Sequence, residues 1–327
     1  MIDEATFADT VEAHRRELRV HCYRMLGSYT DAEDLVQETF LRAWKGLGTF
    51  EGRSSVRAWL YRIATNACLD ALASRPRRVL PQHLSGPSDP SAGFPPRTDV
   101  PWLQPYPDLE LPAPDDPETI AVDRETIALA FLAALQFLPP RQRAALILRD
   151  VHGWPASATA DALDLSVPAV NSALQRARAT LRTHLPERRS DWRAAPPGPA
   201  EQQLLNRYLD AVRRADPAEV AELLAEDVRT TMPPWPMWFE GRDAVRRALE
   251  SSWDPARPGY VGELAPRPVG VNGQLGVASY VRRPGEAVFR PFAIGVCTFD
   301  AGLIGEIVAF HDPGLFAAFG LPPELRR

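Results

Sequence analysis

The chain has 327 residues, 45% of them apolar, and at about 100–200 residues per domain this length predicts two or three domains. Its net charge of −5, from 37 basic and 42 acidic residues, argues against a polybasic protein that coats nucleic acid unaided. Three widely spaced cysteines, no apolar leader and no apolar run of about 18 residues predict a cytoplasmic protein without a disulfide framework, a metal site or another cofactor.

Two proline-rich stretches divide the chain. Residues 76–117 hold twelve prolines in 42 positions, a composition that disfavours helices and central strands and predicts an extended, acidic linker. A shorter proline-rich stretch, 186–199, is predicted to be a second linker. The predicted domains therefore cover residues 1–75, 118–185 and 200–327.

The first domain is predicted to be helical. Apolar residues recur with helical spacing over 32–44, and Thr30 with Glu33 has the pattern of a capping box at the helix start. A second amphipathic helix is predicted over about 56–72. The loop between the two helices, 46–53, is rich in glycine and carries one aromatic residue.

The second domain contains the pattern of a helix-turn-helix. A short helix over 156–163, a turn at Asp164 and a long helix over 167–184 with Ser166 as its N-cap are predicted. In such units the second helix enters the major groove, where Asn and Gln can read adenine and Arg can bind guanine or phosphate. An ordinary helical hairpin with a solvated polar face remains the alternative on periodicity alone.

The third domain changes from helices to strands. Helical patterns near 204–212, 220–224 and 242–252 are followed by strand-like runs over 259–270, 275–282, 287–299 and 303–310. Asn272-Gly273 is a two-residue hairpin signal, and 300–302 also reads as a hairpin turn. This order predicts an α+β fold with a sheet curved over helices.

Four runs in the two helical domains resemble the sigma-70 family. Residues 29–44 (YTDAEDLVQETFLRAW) resemble its core-polymerase-binding helix, and 59–70 (WLYRIATNACLD) resemble the −10 recognition helix of its extracytoplasmic-function (ECF) group. Residues 138–143 (LPPRQR) and 170–178 (VNSALQRAR) resemble the start and the recognition helix of its −35-binding domain. The resemblance implies a transcription initiation factor that binds core RNA polymerase and directs −35 and −10 promoter recognition and melting.

The resemblance also implies roles for individual residues. Core polymerase, through its β′ and β subunits, would be bound by Asp31, Asp34, Leu35, Gln37, Glu38 and Arg42. The −10 element would be contacted by Phe50, Arg53, Ser54, Arg57, Tyr61, Arg62 and Asn66. The −35 element would be contacted by Pro168, Ala169, Asn171, Ser172, Gln175, Arg176, Arg178 and Arg182. The acidic linker would either thread the polymerase cleft or act as a plain solvated tether.

The third domain resembles the SnoaL-like domain, an α+β cone of the cystatin and ketosteroid-isomerase type. The resemblance rests on 232–242 (MPPWPMWFEGR) and 310–316 (FHDPGLF). It implies a regulatory domain that binds a small ligand or an anti-sigma partner, and no catalytic residue is assigned. Ionisable residues at which an isomerase-like base would be sought include Asp227 and Glu240. The residues that would line a pocket, or else fill the core, are Trp235, Trp238, Phe239, His311 and Asp312.

Two other functions remain open from the residues alone. A stand-alone helix-turn-helix regulator would bind duplex DNA without polymerase. An isomerase-like or cyclase-like enzyme could carry the same DNA-binding modules. Promoter-dependent transcription with core polymerase is expected of an initiation factor but not of a stand-alone regulator. Turnover of a small substrate would support the enzyme.

Overall fold

The computed structural model describes residues 4–50, 52, 55–90, 95–112, 125–185 and 197–326. The chain folds into two compact units. The first unit comprises Met1–Arg78 with Glu110–Glu187, and the second comprises Val79–Leu109 with Arg188–Arg327. No helix among the described residues is both long enough and apolar enough to cross a membrane.

The N-terminal half of the first unit is a helical bundle made of α1 (Glu4–Ala13), α2 (Arg15–Leu26), α3 (Tyr29–Gly46) and α4 (Val56–Ala73). Helix α2 ends at Gly27 in the left-handed conformation, with φ of 68°. The N-cap of α3 is Ser28, whose Oγ accepts from the Asp31 amide at 3.2 Å. The expected capping box at Thr30 is therefore wrong, because the N-cap lies two residues earlier, at Ser28, and the helix begins at Tyr29.

The second half of the first unit contains the helix-turn-helix. Its helices are α5 (Leu129–Leu135), α6 (Pro140–Leu146), α7 (Ala156–Leu163) and α8 (Val167–His184), with a π-helical turn at Ile147–Val151. Asp164 turns the chain in the left-handed conformation, with φ of 57°. Ser166 Oγ then accepts from the Ala169 amide at 3.3 Å and starts α8, as predicted.

The two halves pack against each other around one buried arginine. Arg143 of α6 donates to the carbonyl of Met25 at the end of α2 and, at 3.0 Å, to Gln136 Oε1. Its second terminal nitrogen donates to the Leu138 carbonyl at 3.2 Å. Burial lowers the pKa of Arg143 to about 10, so the side chain stays charged at neutral pH. The second terminal nitrogen also donates to the Gln136 carbonyl at 3.3 Å, so four described groups of the two halves accept from one guanidinium.

The second unit is a mixed sheet covered by three helices. The helices are α9 (Pro199–Arg213), α10 (Pro217–Leu223) and α11 (Arg242–Trp253). The strands are β1 (Leu224–Thr231), β2 (Trp238–Glu240), β3 (Glu263–Val271), β4 (Gln274–Arg282), β5 (Arg290–Asp300) and β6 (Leu303–Phe310). Their order is β2-β1-β6-β5-β4-β3, and only the β1–β6 pair among them is parallel.

The predicted hairpin turns of this sheet are present. Asn272 and Gly273, with φ of 55° and 69°, join β3 to β4. Ala301 and Gly302, with φ of 48° and 80°, join β5 to β6. Two successive residues with positive φ are the type I′ geometry that suits the twist of paired strands. The core between the helices and the sheet includes Leu205, Leu209, Val228, Phe239 and Ile304.

The expected linker over 76–117 needs a correction, because residues 79–109 belong to the second unit. We call residues 79–109 the strap. Ser88 exchanges hydrogen bonds with Trp238 on the edge strand β2, and Asn272 exchanges two 2.9 Å bonds with Tyr106 at the β3–β4 hairpin. Since β2 and β3 are opposite edges of the sheet, the two described parts of the strap, 79–90 and 95–109, reach both edges. Its prolines keep it extended, while buried Trp102 and Tyr106 anchor it.

Candidate functional site

The outer face of α3 combines charged and apolar side chains. Asp34 and Gln37 are exposed, and Glu38 pairs with Arg42 at 2.7 Å. Leu41 and Trp44 lie on the same face at helical spacing from Asp34 and are 55% and 45% exposed. The helical spacing of apolar residues over 32–44 had predicted that Trp44 lies on the buried face of this helix. Large exposed apolar side chains beside charged ones are typical of a protein-binding surface.

Three residues predicted for polymerase binding are less accessible than expected. Asp31 is held by Arg75 at 2.8 Å and by Arg78, and Leu35 is half-buried. Arg42 bridges to Asp70 of α4 at 2.8 Å. Leu41 was missed, although its position seven residues after Asp34 already placed it on the outer face. We call Asp34, Gln37, Glu38, Leu41 and Trp44 the α3 strip.

The residues predicted to contact the −10 element fall into two groups. Arg57, Arg62 and Asn66 are exposed on α4, although Arg57 is paired with Glu17 at 2.7 Å. Tyr61 is only 1% exposed and donates to the Glu17 carboxylate at 3.1 Å. Burial raises the pKa of Tyr61. The expectation that Tyr61 faces outward is therefore corrected, because Trp154 and His152 pack against its ring.

The loop between α3 and α4 is described only in part. The ring of Phe50 packs on Trp59 with centroids 4.7 Å apart. Arg53 and Ser54, both predicted to contact DNA, lie outside the described residues. Ser55 is the N-cap of α4 and accepts from the Ala58 amide at 3.2 Å.

The recognition helix α8 presents a polar outer face. Its buried side is formed by Val170, Ala173, Leu174, Ala177 and Leu181. Ala169 is half-buried at its first turn, and Arg178 donates to Asp150 from Nε at 2.8 Å and from one terminal nitrogen at 2.6 Å. The other predicted −35 residues are exposed, namely Pro168, Asn171, Ser172, Gln175, Arg176 and Arg182. Because this face carries both amide and guanidinium groups, it can contact base edges and phosphates.

The structure does not bring together the residues suggested as a pocket of the third domain. Trp238 and Phe239 are neighbours on β2 and point to opposite faces of the sheet. Trp238 donates to the Ser85 carbonyl of the strap at 2.9 Å, whereas Phe239 lies in the core under the helices. Asp312 caps the turn at Pro313–Leu315. Only Trp235 and His311 meet, with ring centroids 4.8 Å apart.

The ionisable residues of this domain differ in how far they are buried. Asp227 and Glu240 are exposed. Burial lowers the pKa of His311 to about 4, which keeps its ring neutral at pH 7. Burial raises the pKa of Glu306, which lies 3.6 Å from Arg229. Among the described residues, no group of three or more side chains has the arrangement of a metal site.

Family models match three parts of the chain and define its class. Residues 10–78 match sigma-70 region 2, residues 128–181 match sigma-70 region 4, and residues 205–307 match the SnoaL-like domain. The class is therefore a sigma factor with an appended SnoaL-like domain, as the sequence resemblance had indicated.

Individual relatives narrow the class. The chain is 46% identical over 320 residues to the ECF RNA polymerase sigma factor SigG of Mycobacterium tuberculosis, covering 98% of this chain and 85% of the relative. It is 30% identical to SigJ of the same species, covering 97% and 94%. The crystal structure of SigJ matches with a TM-score of 0.58 and 25% identity over 96% of this chain and 100% of that chain. The protein belongs to the ECF sigma factors and is a transcription initiation factor.

Proposed function

We propose that the α3 strip is the surface that docks on the β′ subunit of core RNA polymerase. Asp34 and Glu38 supply negative charge that steers association with a basic partner, and the exposed rings and methyls of Trp44 and Leu41 supply apolar area to bury. The observation that carries this proposal is the exposure of two large apolar residues, Leu41 and Trp44, one to three turns after the carboxylates of Asp34 and Glu38 on one helix face.

We infer that two surfaces contact promoter DNA, one on the helix-turn-helix and the other on α4. Exposed Asn171, Gln175 and Arg176 on α8 would read the −35 element. Exposed Arg62 and Asn66 on α4 would contact the −10 element. The protein would work in the cytoplasm, where polymerase and promoter meet.

We further propose that the SnoaL-like domain regulates initiation and is not an enzyme. The exposure of Asp227 and Glu240 leaves them in a poor environment for a tuned base. The strap supports a regulatory role, because it connects the two sigma regions in sequence and is bound by the SnoaL-like domain. A small ligand or an anti-sigma partner that competes with the strap would change how far the two regions can separate.

The experiment that tests the proposed function is run-off transcription with purified core RNA polymerase. The expected result is a defined transcript only when the protein, core enzyme and a cognate promoter are all present. Binding of the protein alone to promoter duplex, with no transcript in the presence of core enzyme, would instead support a stand-alone DNA-binding regulator.

A further inference from the structure

Two histidines join the two sigma regions inside the first unit. His21 of α2 is fully buried, and its Nδ1 lies 3.1 Å from Nε2 of His152, four residues before α7. The other ring nitrogen of His21, Nε2, lies 2.9 Å from Thr65 Oγ1 of α4. Tyr61 packs edge-on against both rings, with centroids 5.0 and 4.8 Å away.

The hydrogen bonds around His21 fix its tautomer. Thr65 has one hydroxyl hydrogen and donates it to the Tyr61 carbonyl at 2.7 Å, so its oxygen can only accept from His21. His21 therefore carries its proton on Nε2, and its Nδ1 is an acceptor. The donor to Nδ1 is then Nε2–H of His152. A proton added to His21 Nδ1 would face another N–H, and the bond between the two regions would be lost.

Among the described residues, the charges that act on the pair oppose a further proton. Arg24 of α2 and Arg57 of α4 are cations that face the rings and oppose a further positive charge. The carboxylate of Glu17 is engaged by Arg57, by the Tyr61 hydroxyl and by His14. Burial, with the two arginines acting in the same direction, lowers the pKa of His21 to about 3 and lowers that of His152 as well.

We propose that the His21–His152 hydrogen bond is a proton-sensitive latch that holds the two sigma regions closed and releases them on acidification. In the closed unit the ring of Tyr61 on α4 is covered by His152 and Trp154. Promoter elements centred about 25 base pairs apart are roughly 85 Å apart along B-DNA at 3.4 Å per base pair, so the two regions must separate to bind both. Releasing the latch removes one of the bonds between the two regions, beside those of Arg143, and so shifts the equilibrium towards a form in which α4 is uncovered.

The size of the effect follows from proton linkage. The closed form keeps His21 neutral. For the open form, in which water reaches the ring, we take the ordinary histidine pKa of about 6.5. Because the pKa is lowered in the closed form, that form is at full stability above pH 6.5 and loses stability as the pH falls below it. Between pH 7.5 and 5.5, protonation of His21 alone raises the open-to-closed ratio about tenfold. Exposure of His152 on opening adds to this change.

The test is the distance between the two regions as a function of pH, measured on the full-length protein. Spin labels on keto amino acids at exposed positions 73 of α4 and 179 of α8 avoid the three buried cysteines. In the wild-type protein, the long-distance population is expected to rise at least tenfold relative to the closed one between pH 7.5 and 5.5. A distribution that does not change over this range, or that is already open at pH 7.5, overturns the proposal.

Two substitutions distinguish the roles of the histidines. His21→Gln keeps a donor for Thr65 but cannot titrate, so it should lose the tenfold change. His152→Gln keeps an amide N–H that can donate to His21, so most of the pH response should survive. His184→Gln, at an exposed position on α8, is the matched control and should behave as wild type. An unchanged response in His21→Gln, or its loss in His152→Gln only, would contradict the assignment.

A direct measurement on the unsubstituted protein guards against a variant that fails to fold. With 15N-labelled histidine, NMR should show His21 neutral and protonated at Nε2 in the closed population at pH 6. If His21 titrates near pH 6.5 without any change in the label distances, the latch does not exist. None of these measurements requires polymerase or DNA, so their failure would leave the proposed transcription function untouched.

Discussion

Single side chains decide which parts of the predicted interfaces are accessible. Arg178 of α8 was predicted to contact DNA, yet its Nε and one terminal nitrogen donate to Asp150. Gln175 and Arg176 are exposed, which makes them the better candidates for sequence reading and phosphate contact. The helical period alone predicts that all three lie outside the core, but it cannot predict an ion pair to a residue 28 positions away.

We expect Gln175→Ala with Arg176→Ala to lower promoter-directed transcription and occupancy of the −35 element. Removal of one arginine–phosphate contact should also reduce the slope of log affinity against log salt by about one. The measurement is DNA binding by the polymerase holoenzyme across a salt series. The matched control is Gln203→Ala with Arg207→Ala, two exposed residues of α9. Unchanged occupancy and slope in the α8 variant would show that this face does not meet DNA.

Tyr61 shows a second limit of sequence reasoning at this level. Its position on α4 predicted an outward, DNA-facing ring, whereas the structure buries it beneath His152 and Trp154. These partners come from the other sigma region, about 90 residues away in the chain, and no local pattern indicates them. The same contact contains His21, for which the sequence predicts no role.

Helices and strands were predictable where local chemistry fixes their ends. The helix-turn-helix was expected over 156–163 and 167–184, and both helices have these bounds. Ser166 caps α8, and the Asn272-Gly273 turn joins β3 to β4. The predicted start of α3 was wrong because two nearby residues can act as an N-cap, and Ser28 rather than Thr30 does so. The sequence also failed for the strap, since proline-rich chain has no period that shows whether its few aromatic residues are buried.

The turn of the helix-turn-helix contains a removable strain. Asp164 is exposed and adopts φ of 57°, a conformation that glycine reaches without a Cβ clash. Asp164→Gly is expected to raise the free energy of unfolding of the first unit by about 0.5–1 kcal/mol, whereas Asp164→Val should lower it. Urea denaturation followed by circular dichroism measures both. Destabilisation by glycine would mean that the Asp164 side chain makes a stabilising contact of its own.

The arrangement of the full chain depends on where its connector is held. The strap lies between the two sigma regions in sequence, and its 31 residues (79–109) could span roughly 100 Å if released at ~3.3 Å per residue. Bound to the SnoaL-like domain, they are not available to span that distance. Composition predicted the extended backbone of the strap, but the buried contacts of Tyr106 and Trp238 depend on tertiary neighbours.

We expect Trp102→Ala with Tyr106→Ala to release the strap and raise transcription at a fixed concentration of core enzyme. Loss of two large buried side chains removes several kcal/mol of packing from the docked strap, at about 3–5 kcal/mol per aromatic residue. Hydrogen exchange over 79–109 reports the release, and run-off transcription reports its effect. Arg97→Ala is the control. The exposed Arg97 side chain pairs locally, with Asp99, and the substitution keeps the hydrogen bond from the backbone N–H of residue 97 to the Pro234 carbonyl. Faster hydrogen exchange over 79–109 without a change in transcription would show that release of the strap does not regulate initiation.

Binding to core RNA polymerase most directly tests whether α3 is the docking element of this initiation factor. We expect the wild-type protein to co-elute with core enzyme at low salt. Asp34→Arg with Glu38→Arg should raise the dissociation constant at least tenfold, about 1.4 kcal/mol, because it reverses the charge that complements a basic partner. Glu222→Arg with Glu226→Arg, two exposed residues of the second unit, should bind as wild type. Failure of the wild-type protein to co-elute, or equal affinity in the α3 variant at low salt, would contradict this assignment.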